Sequence, residues 1–219
     1  MGRGNSTYPL VLTDLAARRC VVIGGGAVAE RKVAGLCEGG AQPEVISPSL
    51  TPSLAQWHAA GSLRHVARGY RHGDLHGAFL VYAATDDPAI NAAVAAEAHA
   101  LGLLFNDAEQ AERGNFHTVG AVRRGDLLLT VSTNGGSPSL AAHLRTRLAA
   151  HFGPEYARVL ELAAAWREAS GASAGQLRAL SQLLTSEPIL AWLRVGAEEP
   201  VLAAIRDLLA VPPISTEAQ

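Results

Sequence analysis

The apolar positions of this chain fall into short blocks separated by turns. Arg19-Cys20-Val21-Val22-Ile23 runs without polar alternation into Gly24-Gly25-Gly26. A short, β-branched, glycine-bounded run of this kind predicts a buried strand. Glu44 to Ile46, Leu63 to Ala67, Phe79 to Ala83 and Leu103 to Phe105 read as four more strands. Val28 to Glu38 predicts a helix ended by Gly39-Gly40, a second helix follows Pro52, and Asp87 to Leu101 predicts a third with an acidic N-cap. Before the first strand, Tyr8-Pro9-Leu10-Val11-Leu12 reads as an extended segment that turns at Asp14. The first eight residues and the tail from Pro212 are expected to be disordered.

Strand and helix in alternation imply a parallel sheet with helices on its faces. The pattern then changes. Val119 to Val122 and Leu127 to Val131 are apolar, and Arg123-Arg124-Gly125-Asp126 separates them. So tight a connection predicts an antiparallel pair. From Pro138 onward the chain reads as helix, broken near Gly153-Pro154, Ser170-Gly171, Pro188 and Glu199-Pro200. Leu177 to Leu184 and Val201 to Leu209 are amphipathic.

Composition narrows the function classes. Of 219 residues 48% are hydrophobic and 17% charged, enough to bury a core without disulfides. A net charge of -2 argues against a broad nucleic-acid footprint. Lys32 is the sole lysine, a bias towards arginine. Cys20 and Cys37 lack metal-ligand spacing, and no ligand set for a resident metal is evident; His72 and His76 are four apart, but Gly73 between them weakens the helix that would align them. No apolar run is long enough to span a bilayer, and no signal peptide is legible. The expected location is cytoplasmic, with no membrane and no nucleic-acid partner.

The strongest chemical signal is Val21 to Lys32. Gly24, Gly26 and Ala29 fit the Gly-x-Gly-x-x-Gly/Ala fingerprint between a strand and a helix, the context that gives that motif meaning. Gly24 supplies the turn, Gly26 leaves room for a pyrophosphate, and Ala29 lets helix pack on sheet. Free amides at the helix start favour phosphate charge. Gly24, Gly25, Gly26, Ala27 and Val28 are therefore candidate cofactor contacts. Glu44 lies near the distance of the usual ribose-binding acid but inside the second strand; Ser47, Pro48 and Ser49 stand at its end. No arginine lies between Gln42 and Leu63, so NAD is expected rather than NADP. Thr85 and Asp86, after the fourth strand, are placed to touch cofactor, or to cap the next helix. The expected fold is α/β: a Rossmann-type parallel sheet over residues 1–115, a small β/α region over 116–150, and an all-helical region over 151–219.

The order GGGAVAERK, AATDDP, a strand ending in Asn106, then VRRGDLLLTVSTNGGSPSLAAHLR resembles the precorrin-2 dehydrogenase family, which also forms the N-terminal module of siroheme synthases. The resemblance covers roughly Tyr8 to Arg167. It implies NAD-dependent oxidation of the tetrapyrrole precorrin-2 to sirohydrochlorin; some members also insert ferrous iron, as substrate, to give siroheme. It implies a homodimer, with 116–150 as the dimerisation region and the helical tail packed on the dimer or the substrate. The methyltransferase half of a full siroheme synthase is not expected within these 219 residues. The family's catalytic aspartate follows the fifth strand in a pattern like Asn-Val-Val-Asp. Here the segment is Asn106-Asp107-Ala108-Glu109, so Glu109 holds the matching position with Asp107 two residues before it. Either carboxylate is a candidate base. Asn106, His117, Ser132, Thr133, Asn134, Gly135 and Ser137 are candidate substrate contacts by the same resemblance. Ser137 and Pro138 also read simply as an N-cap and a first helical residue. The contrasting reading is a non-catalytic dinucleotide-sensing Rossmann module, which predicts an acid at the end of the second strand and no acidic segment after the fifth.

Overall fold

The computed structural model describes residues 7–170 and 173–210. The chain divides into two compact units, residues 1–118 and 119–219. Met1 to Ser6 and the tail from Pro212 lie outside the described residues. Tyr8 to Leu12 joins no sheet, and Tyr8, Leu10 and Val11 are exposed. The turn at Asp14 is present, in the left-handed region at φ 58°.

The first unit holds β1 (Cys20–Ile23), α1 (Ala27–Glu38), β2 (Glu44–Ile46), α2 (Pro52–Ala59), β3 (Arg64–Val66), β4 (Leu80–Ala83), α3 (Pro88–Ala100) and β5 (Leu104–Asp107). The strands pair in parallel in the order β3-β2-β1-β4-β5. All four residues of β1 and of β4 are buried. That explains the absence of polar alternation in the sequence, because both faces of these strands are covered. The two-residue period still sorts the faces. Cys20, Val22, Leu80 and Tyr82 pack with Ala29, Val33 and Leu36 of α1 and Leu54 of α2. Val21, Ile23, Val81 and Ala83 pack with Val94, Ala95 and Ala98 of α3. Strand order therefore reverses between β1 and β4, which puts the crevice of a doubly wound sheet at their carboxyl ends.

The crossover from β3 to β4, residues 67–79, contains no helix. The segment with His72 and His76 is a chain of turns, and a buried carboxylate holds it. Glu97 of α3 is 3% exposed. Its oxygens accept from the Tyr70 hydroxyl and from the amides of Gly73 and Leu75, both at 3.1 Å. Arg68 clamps Asp74 through two bonds of 2.7 Å in the same segment. At the strand amino ends, Arg19 bonds Glu44 at 2.5 Å and the carbonyls of Asp74 and His76 at 3.0 and 2.9 Å. The free edge of β5 is closed by Asn115. Its carboxamide accepts from Phe105 N–H at 2.9 Å and donates to the Leu103 carbonyl at 2.7 Å, as a paired strand would.

The second unit opens with β6 (Gly120–Arg124) and β7 (Leu127–Val131), an antiparallel pair. The turn is tighter than the sequence suggested. Arg123 and Arg124 belong to β6, leaving Gly125-Asp126 as the loop, with Gly125 at φ 55°. Positive φ at the first loop residue suits the twist of a two-residue hairpin. Then come α4 (Pro138–His151), α5 (Glu155–Ser170), α6 (Ala174–Leu184), α7 (Glu187–Arg194) and α8 (Glu198–Ala210). Arg124 donates to the carbonyls of Ala149 and Phe152 at 2.9 Å each, satisfying groups that the end of α4 leaves open. Leu162, Leu180, Leu184, Ile189, Leu190 and Val201 lie in the core formed by α5 to α8.

Glu97 also makes the first unit acid-sensitive. Burial pushes its carboxyl up, but the bonds from Tyr70, Gly73 and Leu75 outweigh burial and hold it below the usual range. A depressed folded-state value stabilises the fold above the ordinary glutamate pKa of about 4.3, and that contribution fades as pH falls through the lower folded value. Urea unfolding of Glu97→Ala should show a loss of about 2–4 kcal/mol at neutral pH. The wild-type advantage over the variant should shrink below about pH 4.

Candidate functional site

The site is built at the carboxyl edge of the parallel sheet. At the end of β1 the chain must turn over the end of β4. Gly24 does this at φ 117°, and a Cβ there would lie 2.2 Å from the Ala84 carbonyl oxygen. Gly25 is equally confined, since a Cβ would meet the Ser49 carbonyl oxygen at 2.0 Å. Gly26 is different: a Cβ would meet nothing within 4 Å. Two glycines are thus required by the protein's own packing, and the third leaves open space before the first turn of α1. Gly26 is the N-cap of α1 and offers no capping side chain, so the amides of Ala27 and Val28 have no partner among the described residues. This is a cradle suited to a pyrophosphate.

The neighbouring strand ends complete the edge. Ser47 is buried, and its carbonyl accepts from His65 Nε2 at 2.9 Å. Ser49 is exposed. Glu44 lies at the opposite end of β2, paired with Arg19, so it is not the acid of a ribose site. After β4, Asp87 caps α3, accepting from Ala89 N–H at 2.8 Å and Ile90 N–H at 3.3 Å. Asp86 does not cap the helix and is exposed. Thr85 donates its hydroxyl to Asn91 Oδ1 at 2.8 Å.

At β5 the structure separates the two candidate carboxylates. The strand runs to Asp107, beyond Phe105 where the apolar run stops, because Asn106 and Asp107 still pair with Tyr82 and Ala83. Asp107 is 2% exposed. Its Oδ1 accepts from the amides of Glu109 and Gln110 at 2.9 Å, and its Oδ2 faces Arg113 at 3.5 Å. It is committed to shaping the turn. Glu109 is exposed, and one oxygen receives Asn91 Nδ2 at 3.4 Å. By strand register Asp107 stands opposite Ala83, and Ala83 opposite Ile23. Two strand spacings, about 10 Å, thus separate the start of the carboxylate turn from the start of the glycine turn.

Asn106 is buried and donates to the Phe116 carbonyl at 2.9 Å; its Oδ1 finds no partner among the described residues. Phe116 packs edge-on to Tyr82 at 5.5 Å. Lys32 Nζ lies 5.1 Å over the same Tyr82 ring and donates to Thr118 Oγ1 at 3.0 Å. Burial, helped by Arg31, holds its amine below the usual lysine range. His117 is exposed. Ser132, Thr133, Asn134, Gly135 and Ser137 belong to the second unit, in the loop between β7 and α4. There Ser137 caps α4 by accepting from Leu140 N–H at 3.3 Å, and Thr133 accepts from Ser137 N–H at 3.2 Å. Asn134 and Gly135 turn at φ 51° and 79°.

Residues 11–120 match the family model described as "Putative NAD(P)-binding". The chain belongs to this NAD(P)-binding family. The matched span covers the whole five-stranded sheet and the turn after β5. The chain is also 42% identical over 163 residues to a siroheme synthase of Methylobacillus flagellatus, covering 74% of this chain and 35% of that one. It is 31% identical to a siroheme synthase of Xylella fastidiosa over 96% of its own length and 45% of the relative's. It thus spans between a third and a half of these curated relatives. Among solved structures it is similar to SirC, a precorrin-2 dehydrogenase, with a TM-score of 0.73 at 25% identity, covering 92% of this chain and 100% of that one.

Sequence reasoning passed over Asn91, Glu97 and Arg113. Asn91 left a signal: it sits three and four residues before the buried Val94 and Ala95, a polar group in an apolar stripe. The glycines make opposite demands that substitution should separate. Gly24→Ala should destabilise the fold by about 1–3 kcal/mol or more through the forced backbone. Gly26→Ala should melt within about 1 kcal/mol of wild type. Calorimetry should nonetheless show its dinucleotide affinity reduced at least about tenfold, because the added methyl occupies the ligand's space.

Proposed function

We propose that this chain catalyses the NAD-dependent oxidation of precorrin-2 to sirohydrochlorin. The carrying observation is an exposed, anchored carboxylate, Glu109, on the same sheet edge as a dinucleotide cradle. Oxidation of this kind removes a hydride and a proton, and NAD supplies the hydride acceptor when bound. Gly24, Gly25, Gly26, Ala27 and Val28 hold the pyrophosphate, with Ser47, Pro48 and Ser49 at the ribose and Thr85 and Asp86 along the adjoining strand end. Glu109 takes the proton, and Asp107 fixes the turn that presents it. Asn106, His117, Ser132, Thr133, Asn134, Gly135 and Ser137 are assigned to the substrate, whose carboxylates suit the hydroxyls and amides of the last five.

Cofactor choice follows from charge. The turn after β2, Ser47 to Thr51, carries no basic side chain for an extra phosphate. NAD is therefore preferred over NADP. A dinucleotide sensor fits less well, because Ser47 rather than an acid follows β2. Ferrous iron, where it is inserted, is a second substrate of the same edge.

The proposal extends to a homodimer formed through residues 116–150, working in the cytoplasm. No residue of α4 is buried, Leu140 is 48% exposed, and Leu127, Leu128 and Leu129 of β7 are only partly covered. Such apolar surface is suited to a partner copy. Sedimentation of Leu140→Arg should show a shift towards monomer without loss of the first unit's fold.

The direct test is anaerobic turnover of precorrin-2 with NAD, followed at the reduced-nicotinamide band and by the sirohydrochlorin spectrum. Glu109→Gln should lower kcat by about 10²–10⁴-fold at unchanged melting temperature. Asp107→Ala should lower stability as well as rate, since it frees two amides and strands Arg113. Full activity in Glu109→Gln would remove that residue from the mechanism, and absence of turnover with either NAD or NADP would overturn the assignment.

A further inference from the structure

Asn91 is wholly buried in the first turn of α3. Its carboxamide makes four hydrogen bonds: Oδ1 accepts from the Thr85 amide at 3.3 Å and the Thr85 hydroxyl at 2.8 Å, and Nδ2 donates to the Thr85 carbonyl at 3.0 Å and to Glu109 Oε2 at 3.4 Å. A carboxamide offers two donors and two main acceptor directions, so its capacity is filled. Its orientation is also forced. The Thr85 amide can only donate and the Thr85 carbonyl can only accept, so Oδ1 and Nδ2 cannot exchange places. The helix has no need of this group, because Asp87 already caps it. Packing alone would be met by alanine or leucine on the face shared with Val94 and Ala95, and a buried carboxamide without partners is costly.

We propose that Asn91 is a positioning residue that ties the Glu109 carboxylate to the cofactor-side turn at the end of β4. Three bonds fix the amide on Thr85, and the fourth reaches across to the turn after β5. Asp107 holds the Glu109 backbone through its amide at 2.9 Å, while Asn91 holds the side chain. A long, exposed glutamate otherwise samples many rotamers. Anchoring Oε2 leaves Oε1 to meet the proton in a set direction, and the anchor moves with the strand that borders the cofactor. This inference rests on the reading of Glu109 as proton acceptor.

The test is a cycle of Asn91→Asp, Glu109→Gln and the double variant, in the full chain. Asn91→Asp keeps the shape but turns an acceptor towards the Thr85 carbonyl and Glu109. It should lower kcat at saturating NAD by about 10- to 100-fold, with an altered pH profile. In the Glu109→Gln background it should lower kcat no further. Equal fractional losses in both backgrounds would overturn the role of Asn91 and leave Glu109 as base. Full kcat in Glu109→Gln would instead overturn the base reading, and this inference with it. A second measurement does not require Asn91→Asp to fold. The Asn91 side-chain amide resonances should move as Glu109 titrates in the wild type and stay still in Glu109→Gln; resonances that ignore Glu109 would sink the proposal.

Discussion

The approach of the Gly24 backbone to the end of β4 is the constraint on which the first unit depends. The chain leaving β1 passes so close to the Ala84 carbonyl that no side chain fits, and it does so with a left-handed backbone. That turn sends α1 to one face of the sheet while α3 leaves β4 for the other. The crevice between them, the free amides at the start of α1 and the empty space beside Gly26 all follow from it. A bulkier residue at this point would not simply crowd a ligand; it would separate two strands whose pairing builds the core.

Charge is distributed between the two ends of the sheet. At the amino ends, ionic groups are consumed by structure: Arg19 with Glu44, Arg68 with Asp74, and Glu97 under the crossover. In a segment of thirteen residues without a helix, one buried carboxylate satisfies the amides of Gly73 and Leu75. At the carboxyl ends, Asp86 and Glu109 remain exposed. The exposed carboxylates thus lie at the edge outside which a doubly wound sheet binds ligands.

The β5 turn shows how one sequence segment acquires two different carboxylates. Asp107 and Glu109 are two residues apart and chemically alike. Sheet pairing draws Asp107 into the strand and buries it, and its own side chain then accepts the amides that start the turn. Glu109 is released to the surface and caught by Asn91. The additional carboxylate relative to the family pattern is therefore a support for the turn, while Glu109, at the family position, stays exposed.

Strand and helix order, the glycine fingerprint and the hairpin at Gly125 were legible in the sequence, because each depends on local backbone preference or on the period of apolar residues. The same local logic set α3's start at Asp87 but also offered Thr85 or Asp86 as a cap, whereas the cap is Asp87. Long-range groups were not legible. Glu97 gains its role only when Tyr70 and the crossover amides close over it, and the polar Asn91 in its apolar stripe finds its partners only when Thr85 and Glu109 arrive from the turns after β4 and β5. By itself the sequence determined the parallel α/β architecture and the place of the dinucleotide turn, which local sterics enforce. Only the tertiary structure decided which polar side chains are buried, paired or left free, because desolvation and hydrogen-bond satisfaction depend on partners far apart in the chain.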